Sequence, residues 1–255
     1  MPDPSSSAPS ADSVNQYQDL ASYYDHLMLG GYYDYAAQSA ELAELLPPNA
    51  HVLEIGVGTG LLAEALVDRG FRVTGVDHTE EMLERARERL GDRVALVQAD
   101  VITFDLGERF DAVISNGGVW YGVFDGKDYG YCGHIPDRVA VAASLRRVLA
   151  HLQANGQIIL SVQDVHADKV MQLPDDIEYR QSIVDLGNDD IEKTYIMSRA
   201  GEQLAHQVLT LSYYQRSLFE NIFAEHGLRM NSFTAGDHYL VARGMSPTGQ
   251  AQTNG

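Results

Sequence analysis

Apolar residues run along this chain in short continuous bursts that alternate with longer stretches at helical spacing, a pattern that predicts strand-helix-strand units. The bursts at 51–55, 72–77, 94–100, 112–115 and 157–162 read as five parallel strands. Helical spacing covers 16–29, 35–46, 61–69 and 80–90, and Pro47 with Pro48 ends the second of these. Thr79 stands where a cap for 80–90 belongs. Pro136 opens a further helix to about residue 153, closed by Asn155 and Gly156. The rhythm then changes to strands at 177–186, 191–199 and 205–213, with turns at 187–190 and 200–202, which predicts an antiparallel platform inserted over about 175–214. A helix at 216–226 stopped by Gly227, then strands at 228–233 and 238–242, closes the pattern. The expected architecture is α/β, in one domain spanning 16–243.

The first strand runs into Glu54-Ile55-Gly56-Val57-Gly58-Thr59-Gly60, an acid followed by a glycine turn into a helix. Glycines let backbone turn sharply and approach a ligand closely, and the start of the following helix offers unpaired N–H groups. The pattern points to a nucleoside-cofactor site. A dinucleotide fingerprint requires Gly-x-Gly-x-x-Gly, and counting from Gly56 puts Leu61 where the third glycine belongs. Asp77 ends the second strand, where a carboxylate can accept both hydroxyls of a ribose, and Asp100 ends the third, suited to the exocyclic amine of adenine. A tight connection that binds nothing is the plain structural alternative for a lone glycine turn, and three acids at three successive strand ends weigh against it.

In this order and spacing, Glu54-x-Gly56-x-Gly58-x-Gly60, Asp77, Gln98-Ala99-Asp100 and Phe110-Asp111-Ala112-Val113 resemble the motifs of class I S-adenosylmethionine-dependent methyltransferases, from about residue 23 to 243. The resemblance implies a Rossmann-like seven-stranded mixed sheet, its parallel core closed by a C-terminal antiparallel hairpin, with the platform as one wall of the acceptor pocket. It implies S-adenosyl-L-methionine as cofactor. Glu54 would support the methionyl ammonium; Gly56, Gly58 and Gly60 would shape the turn; Asp77, beside His78, would take the ribose hydroxyls. Asp100 and the Val101 backbone would hold the adenine edge, and Asn116 would lie beneath the methionyl end.

Within that family the chain is most similar to aminosugar N,N-dimethyltransferases of bacterial secondary metabolism. Tyr24-Asp25 followed by Asp34-Tyr35-Ala36-Ala37, and Gly133-His134 ahead of the helix leading to the fifth strand, carry this. The sugar enzymes place their Gly-His pair almost directly after strand four, whereas here residues 121–132, rich in Gly, Asp and Tyr, intervene. His134 is the candidate base because imidazole titrates near neutrality. Its bland alternative is a loop histidine or helix cap. Tyr24 is a catalytic or cofactor contact by the same match, and Tyr32 and Tyr33 are lid candidates. Trp120 and Tyr121, after strand four, are expected to line the acceptor pocket, although packing under the insertion is the plainer reading of the tryptophan.

Charge and composition narrow the partners. Lys plus Arg is 18 against 36 Asp plus Glu, a net charge of −18, so the molecular field disfavours nucleic acid. No apolar run reaches membrane-spanning length. The one cysteine, Cys132, excludes an internal disulfide and points to the cytoplasm, and reads as a small packed side chain rather than a nucleophile. Residues 1–15 and 244–255 are expected as tails, the first without the features of a signal or transit peptide. No metal site is expected among the nine histidines; Asp164 and His166 come nearest to ligand spacing. The expected function is methyl transfer to nitrogen or oxygen of a small molecule, by a monomer or homodimer. Alternatives are a C-methyltransferase on an enolate or indole carbon, with or without iron, and a protein of this fold that binds the cofactor without methylating, as a cyclase or in a binding role. An NAD-dependent oxidoreductase fails on Leu61 and on the lack of a hydride-transfer set.

Overall fold

The parallel core forms because its strands are apolar on both faces, which requires cover above and below. The structure, a computed structural model, describes residues 17 and 19–244. β1 (His51–Ile55), β2 (Arg72–Asp77), β3 (Ala95–Gln98) and β4 (Phe110–Ser115) are followed by β5 (Trp120–Phe124), β6 (Tyr129–Gly133) and the long β7 (Leu152–Asp164). The platform strands are β8 (Lys169–Leu173), β9 (Ile177–Gly187), β10 (Asp190–Arg199) and β11 (Glu202–Tyr214), and β12 (Leu228–Phe233) and β13 (Tyr239–Gly244) end the described chain. The order β3-β2-β1-β4-β7 continues through β13 to β12, which is the expected seven-stranded mixed sheet.

Helices α1 (Tyr24–Leu27), α2 (Tyr35–Leu45), α3 (Leu61–Val67), α4 (Glu80–Leu90), α5 (Arg138–Leu149) and α6 (Arg216–Glu225) supply the cover. Leu42, Leu62, Leu66, Leu83 and Leu90 from α2, α3 and α4 pack one face of the sheet. Leu145, Phe219 and Ile222 from α5 and α6 pack the other. A third apolar cluster joins Leu27 and Met28 to Tyr179, Tyr195 and Met197 of the platform.

β7 links the two halves. Its residues Gln157 to Ser161 pair with β13, while Val162, Gln163 and Asp164 pair in parallel with β5. β5 and β6 form a hairpin, and β6 passes the sheet on to β11, β10, β9 and β8. The insertion 121–132 is therefore this hairpin, turned at Asp125, whose carboxylate takes the Lys127 and Asp128 N–H groups.

Several expected boundaries move. A helix over 16–29 does not form among the described residues: α1 has four residues and gives way to a π-helical turn at Met28–Tyr32, where Gly31 sits at φ 108°. α5 begins at Arg138 because Asp137 caps it, accepting the Val139 N–H. It ends at Leu149, and β7 starts at Leu152, ahead of Asn155 and Gly156. β8, an exposed edge strand, was not expected. The expected tails, 1–15 and 245–255, lie outside the described residues, and Gly244 belongs to β13.

Gly60 is the N-cap of α3, at φ 82°, and a Cβ there would stand 2.7 Å from Leu90 Cδ1. Its role is close packing of α3 against α4. Gly60→Ala is expected to lower stability by about 1–3 kcal/mol, from the left-handed backbone and the displaced leucine. An unchanged urea midpoint would refute this.

Candidate active site

Three loops at the C-terminal ends of β1, β2 and β4 meet at a cleft of about 550 Å³. Glycine makes the meeting possible: a Cβ on Gly56 would lie 2.7 Å from Gly118 Cα, and one on Gly118 would lie 2.6 Å from the Ile55 carbonyl oxygen. Gly58, at φ 55°, has only Tyr24 within 4 Å of such a position, so its bare face opens on the cleft. Asp77, at the end of β2, holds the turn in place: one carboxylate oxygen accepts the Gly58 N–H at 2.9 Å and the other the Thr79 N–H at 2.9 Å. Thr79 caps α4 by position, but its side chain makes no cap hydrogen bond; the aspartate instead fixes the N-cap residue by taking its N–H.

Gly56, Gly58, Asp77, His78, Asp100 and Val101 all border this cleft, with Gln98, Ala99 and Ile102. His78 is exposed and lies 3.7 Å from Asp77. Asp100 accepts the Ile102 N–H, which fixes the bend after β3. Glu54 is 3 % exposed, and its Oε2 has no hydrogen-bond partner. Burial, reinforced by the charge of Asp77, pushes it up to about 8.

Tyr24 reaches the cleft because its neighbour is anchored. Asp25 accepts from Thr59 Oγ1 at 2.6 Å and pairs with Arg89, whose Nε donates to the Thr59 carbonyl. Asn116 faces elsewhere: its amide donates to Gln38 at 3.3 Å, away from the cleft wall. Trp120 corrects an expectation. It is fully buried in the core, donating to Ser144 and packing edge-on against Phe219, and it lines no cavity among the described residues.

Behind the cleft lies a chamber of about 20 Å³, room for one functional group. Tyr17, Tyr24, Gly117 and His134 border both spaces. Tyr32, Tyr33 and Gln163 separate the chamber from an outer cavity of about 670 Å³ on the platform side. Burial, together with Lys193 and His78, pushes His134 down to about 3, so its imidazole is neutral across the physiological range. Tyr121 faces the chamber, its hydroxyl 2.7 Å from His166 Nε2. Cys132 is buried and pushed up to about 11 by burial, which makes it a packed thiol rather than a nucleophile.

One chamber group escaped the sequence reading, Lys193; His166, which the sequence singled out only for its spacing to Asp164, borders the outer cavity beside it. Lys193 is 1 % exposed, its Nζ 3.3 Å from Tyr32 Oη and 3.5 Å from His166 Nδ1. The signal was present: Ile191, Lys193, Tyr195 and Met197 are the inward positions of β10, and a lysine there interrupts an apolar face. Among the described residues, no group of three or more His, Cys, Asp or Glu side chains is arranged for a metal ion. Likewise no described helix is long and apolar enough to cross a membrane.

Residues 52–156 match a family model described as a methyltransferase domain. The matched stretch includes the cleft wall from Ile55 through Pro136 and stops before the platform. A dTDP-3-amino-3,6-dideoxy-alpha-D-glucopyranose N,N-dimethyltransferase of Streptomyces fradiae is 30% identical over 159 residues, 61% of this chain and 57% of that protein. A dTDP-3-amino-3,4,6-trideoxy-alpha-D-glucopyranose N,N-dimethyltransferase of Streptomyces venezuelae is 29% identical over 146 residues, 56% of each chain. The chain thus spans little more than half the length of these relatives. The solved structure of Streptomyces venezuelae DesVI shares the fold, with a TM-score of 0.69 and 24% identity over 89% of this chain and 99% of that one. CalS10, an amino pentose methyltransferase of Micromonospora echinaspora solved with S-adenosylmethionine bound, gives 0.67 and 22% over 88% and 97%.

Proposed function

We propose that the protein is an enzyme that transfers a methyl group from S-adenosylmethionine to nitrogen or oxygen of a small molecule of secondary metabolism. The observation that carries this is the pairing of cleft and chamber. The cleft offers what the cofactor requires, the open face of Gly58 and Asp77 with remaining acceptor capacity, and directly behind its wall at Ile55 lies the unpartnered buried oxygen of Glu54, suited to an ammonium. When bound there, S-adenosylmethionine supplies an electrophilic methyl group on a sulfonium. The chamber offers tyrosine faces and edges that suit a methyl sulfonium and admit one acceptor group at a time.

Methyl transfer from an activated donor gains most from placement. His134, on the wall shared by cleft and chamber, is set to accept a hydrogen bond from the acceptor and fix its lone pair. The named relatives act on amino groups of nucleotide-linked sugars, which supports a small, polar acceptor. The large outer cavity on the platform side has room for the body of such a molecule.

The test is calorimetric titration with S-adenosylmethionine and separately with NAD, then incubation with amines, phenols and keto acids while S-adenosylhomocysteine is quantified. Binding of the first ligand with acceptor-dependent release supports the proposal. Release with keto acids alone would shift it to carbon, and binding without release would favour a non-methylating role. His134→Ala is expected to lower turnover about tenfold with cofactor affinity within about twofold of wild type. A parallel loss of cofactor binding would assign the imidazole a structural role.

A further inference from the structure

Lys193 is the one cation that borders the chamber among the described residues, and no carboxylate borders it with the lysine. Its neighbours are Tyr32, His166, Cys132 and the ring of Tyr195, 4.9 Å from Nζ, and Lys169 Nζ also stands over the Tyr32 ring, 5.5 Å from its centroid. Carboxylates do line the outer cavity, at Asp34, Asp164, Asp168 and Asp237, but none of them borders the chamber, from which Tyr32 and Tyr33 separate that cavity. A buried ammonium without a counter-ion is disfavoured, and Lys193 is pushed down to about 7, first by burial and then by Lys169. The surrounding phenols cannot supply the missing anion, because burial raises Tyr17, Tyr24, Tyr121 and Tyr195 far above neutrality. An incoming ammonium would find no carboxylate in the chamber to hold it.

We propose that Lys193 takes the proton of an acidic hydroxyl on the acceptor and holds the resulting oxyanion beside the cofactor cleft, so that the acceptor is a phenol or enol methylated on oxygen. This rests on the methyltransferase reading above and chooses between the two heteroatoms it leaves open. The neutral Nζ accepts the hydroxyl proton and becomes an ammonium. The oxygen's electron pair forms the new bond to the methyl carbon while the carbon–sulfur bond breaks and its pair remains on sulfur. The products are a methyl ether and S-adenosylhomocysteine, and the proton leaves Lys193 for water in the outer cavity, which His166 borders. His134 is too weak a base for this step, being held near 3.

The experiment follows 4-nitrophenol, whose phenolate absorbs in the visible, on mixing with wild type, Lys193→Met and Lys193→Gln, each loaded with S-adenosylhomocysteine. Wild type is expected to bind the probe as phenolate at a pH where free probe is mostly neutral. Both variants are expected to lose that band, to bind the probe about tenfold more weakly and to turn over phenols about a hundredfold more slowly. Calorimetric binding of S-adenosylhomocysteine by all three shows that the site is folded and that the methyltransferase reading stands. No phenolate band in wild type, an equal band in both variants, or release of S-adenosylhomocysteine with amines but not phenols would overturn the role of Lys193. Failure of wild type to bind the cofactor product would overturn the reading beneath it.

Discussion

Asp77→Ala is expected to weaken S-adenosylmethionine binding by about 2–3 kcal/mol, a loss of roughly 30- to 150-fold, because it removes charged acceptors for the ribose hydroxyls. The substitution also frees two backbone donors, the N–H groups of Gly58 and Thr79, which the carboxylate holds at 2.9 Å each. The turn before α3 and the start of α4 lose their shared clamp together, so a fall in stability should accompany the fall in affinity. Urea unfolding of the ligand-free protein measures the first effect and calorimetry the second. Asp77→Asn separates them, since it retains an acceptor for one donor but carries no charge. Unchanged affinity in the alanine variant would remove Asp77 from the cofactor site and leave it the turn residue that its hydrogen bonds already make it.

For Glu54→Gln the expected result is a reversal between the free and bound protein. In the free protein Glu54 is raised from its ordinary 4.5 to about 8, first by burial and second by Asp77. Between those values the folded chain keeps a proton that the unfolded chain has lost, so stability declines as pH rises from 4.5 to about 8 and is level above. Glutamine abolishes that decline and should make the free protein more stable at pH 8, by an amount on the order of a few kcal/mol. Bound, the ammonium of the cofactor draws the proton off. Wild type at pH 7 is therefore expected to release about one proton on binding, visible as a calorimetric enthalpy that changes with buffer. The variant should lose that release and bind about 10- to 100-fold more weakly. A buffer-independent enthalpy in wild type would show that Glu54 does not meet the ammonium.

Much of the cleft was legible in the chain because it is built from strand ends. Glu54, Asp77 and Asp100 each stand at or next to the end of an apolar run, and Gly56 and Gly58 shape the turn that follows the first, while Gly60 serves the packing of α3 on α4. The seven-stranded order and the platform were legible for the same reason, since period-two and helical rhythms separate cleanly. The chamber was not. It is assembled from Tyr17 and Tyr24 near the start, Tyr121 and His134 around the hairpin, and Lys193 and Tyr195 on β10, and nothing local says that these surfaces meet. Trp120 misled because a lone aromatic after a glycine turn suits a pocket wall and a core equally, and packing against Phe219 decided it. The stretch 16–29 misled because aromatic residues at helical spacing also pack well as irregular turns around a glycine pair, Gly30 and Gly31.

β7 has a consequence for how finely the two reacting groups are aligned. Ser161 Oγ accepts the Gly117 N–H at 2.8 Å, and two residues on, Gln163 donates to Tyr33 Oη at 2.6 Å. Residues two apart on a strand face the same way with a rise of about 3.3 Å per residue. One rigid strand therefore gauges the separation between the loop that borders the cleft at Gly117 and the tyrosine that stands between chamber and outer cavity. Adjustment of that spacing comes only in whole-residue steps, and a single insertion or deletion here would turn one of the two side chains to the opposite face. Substitutions that reshape the outer cavity can thus leave the gauge between Gly117 and Tyr33 unchanged.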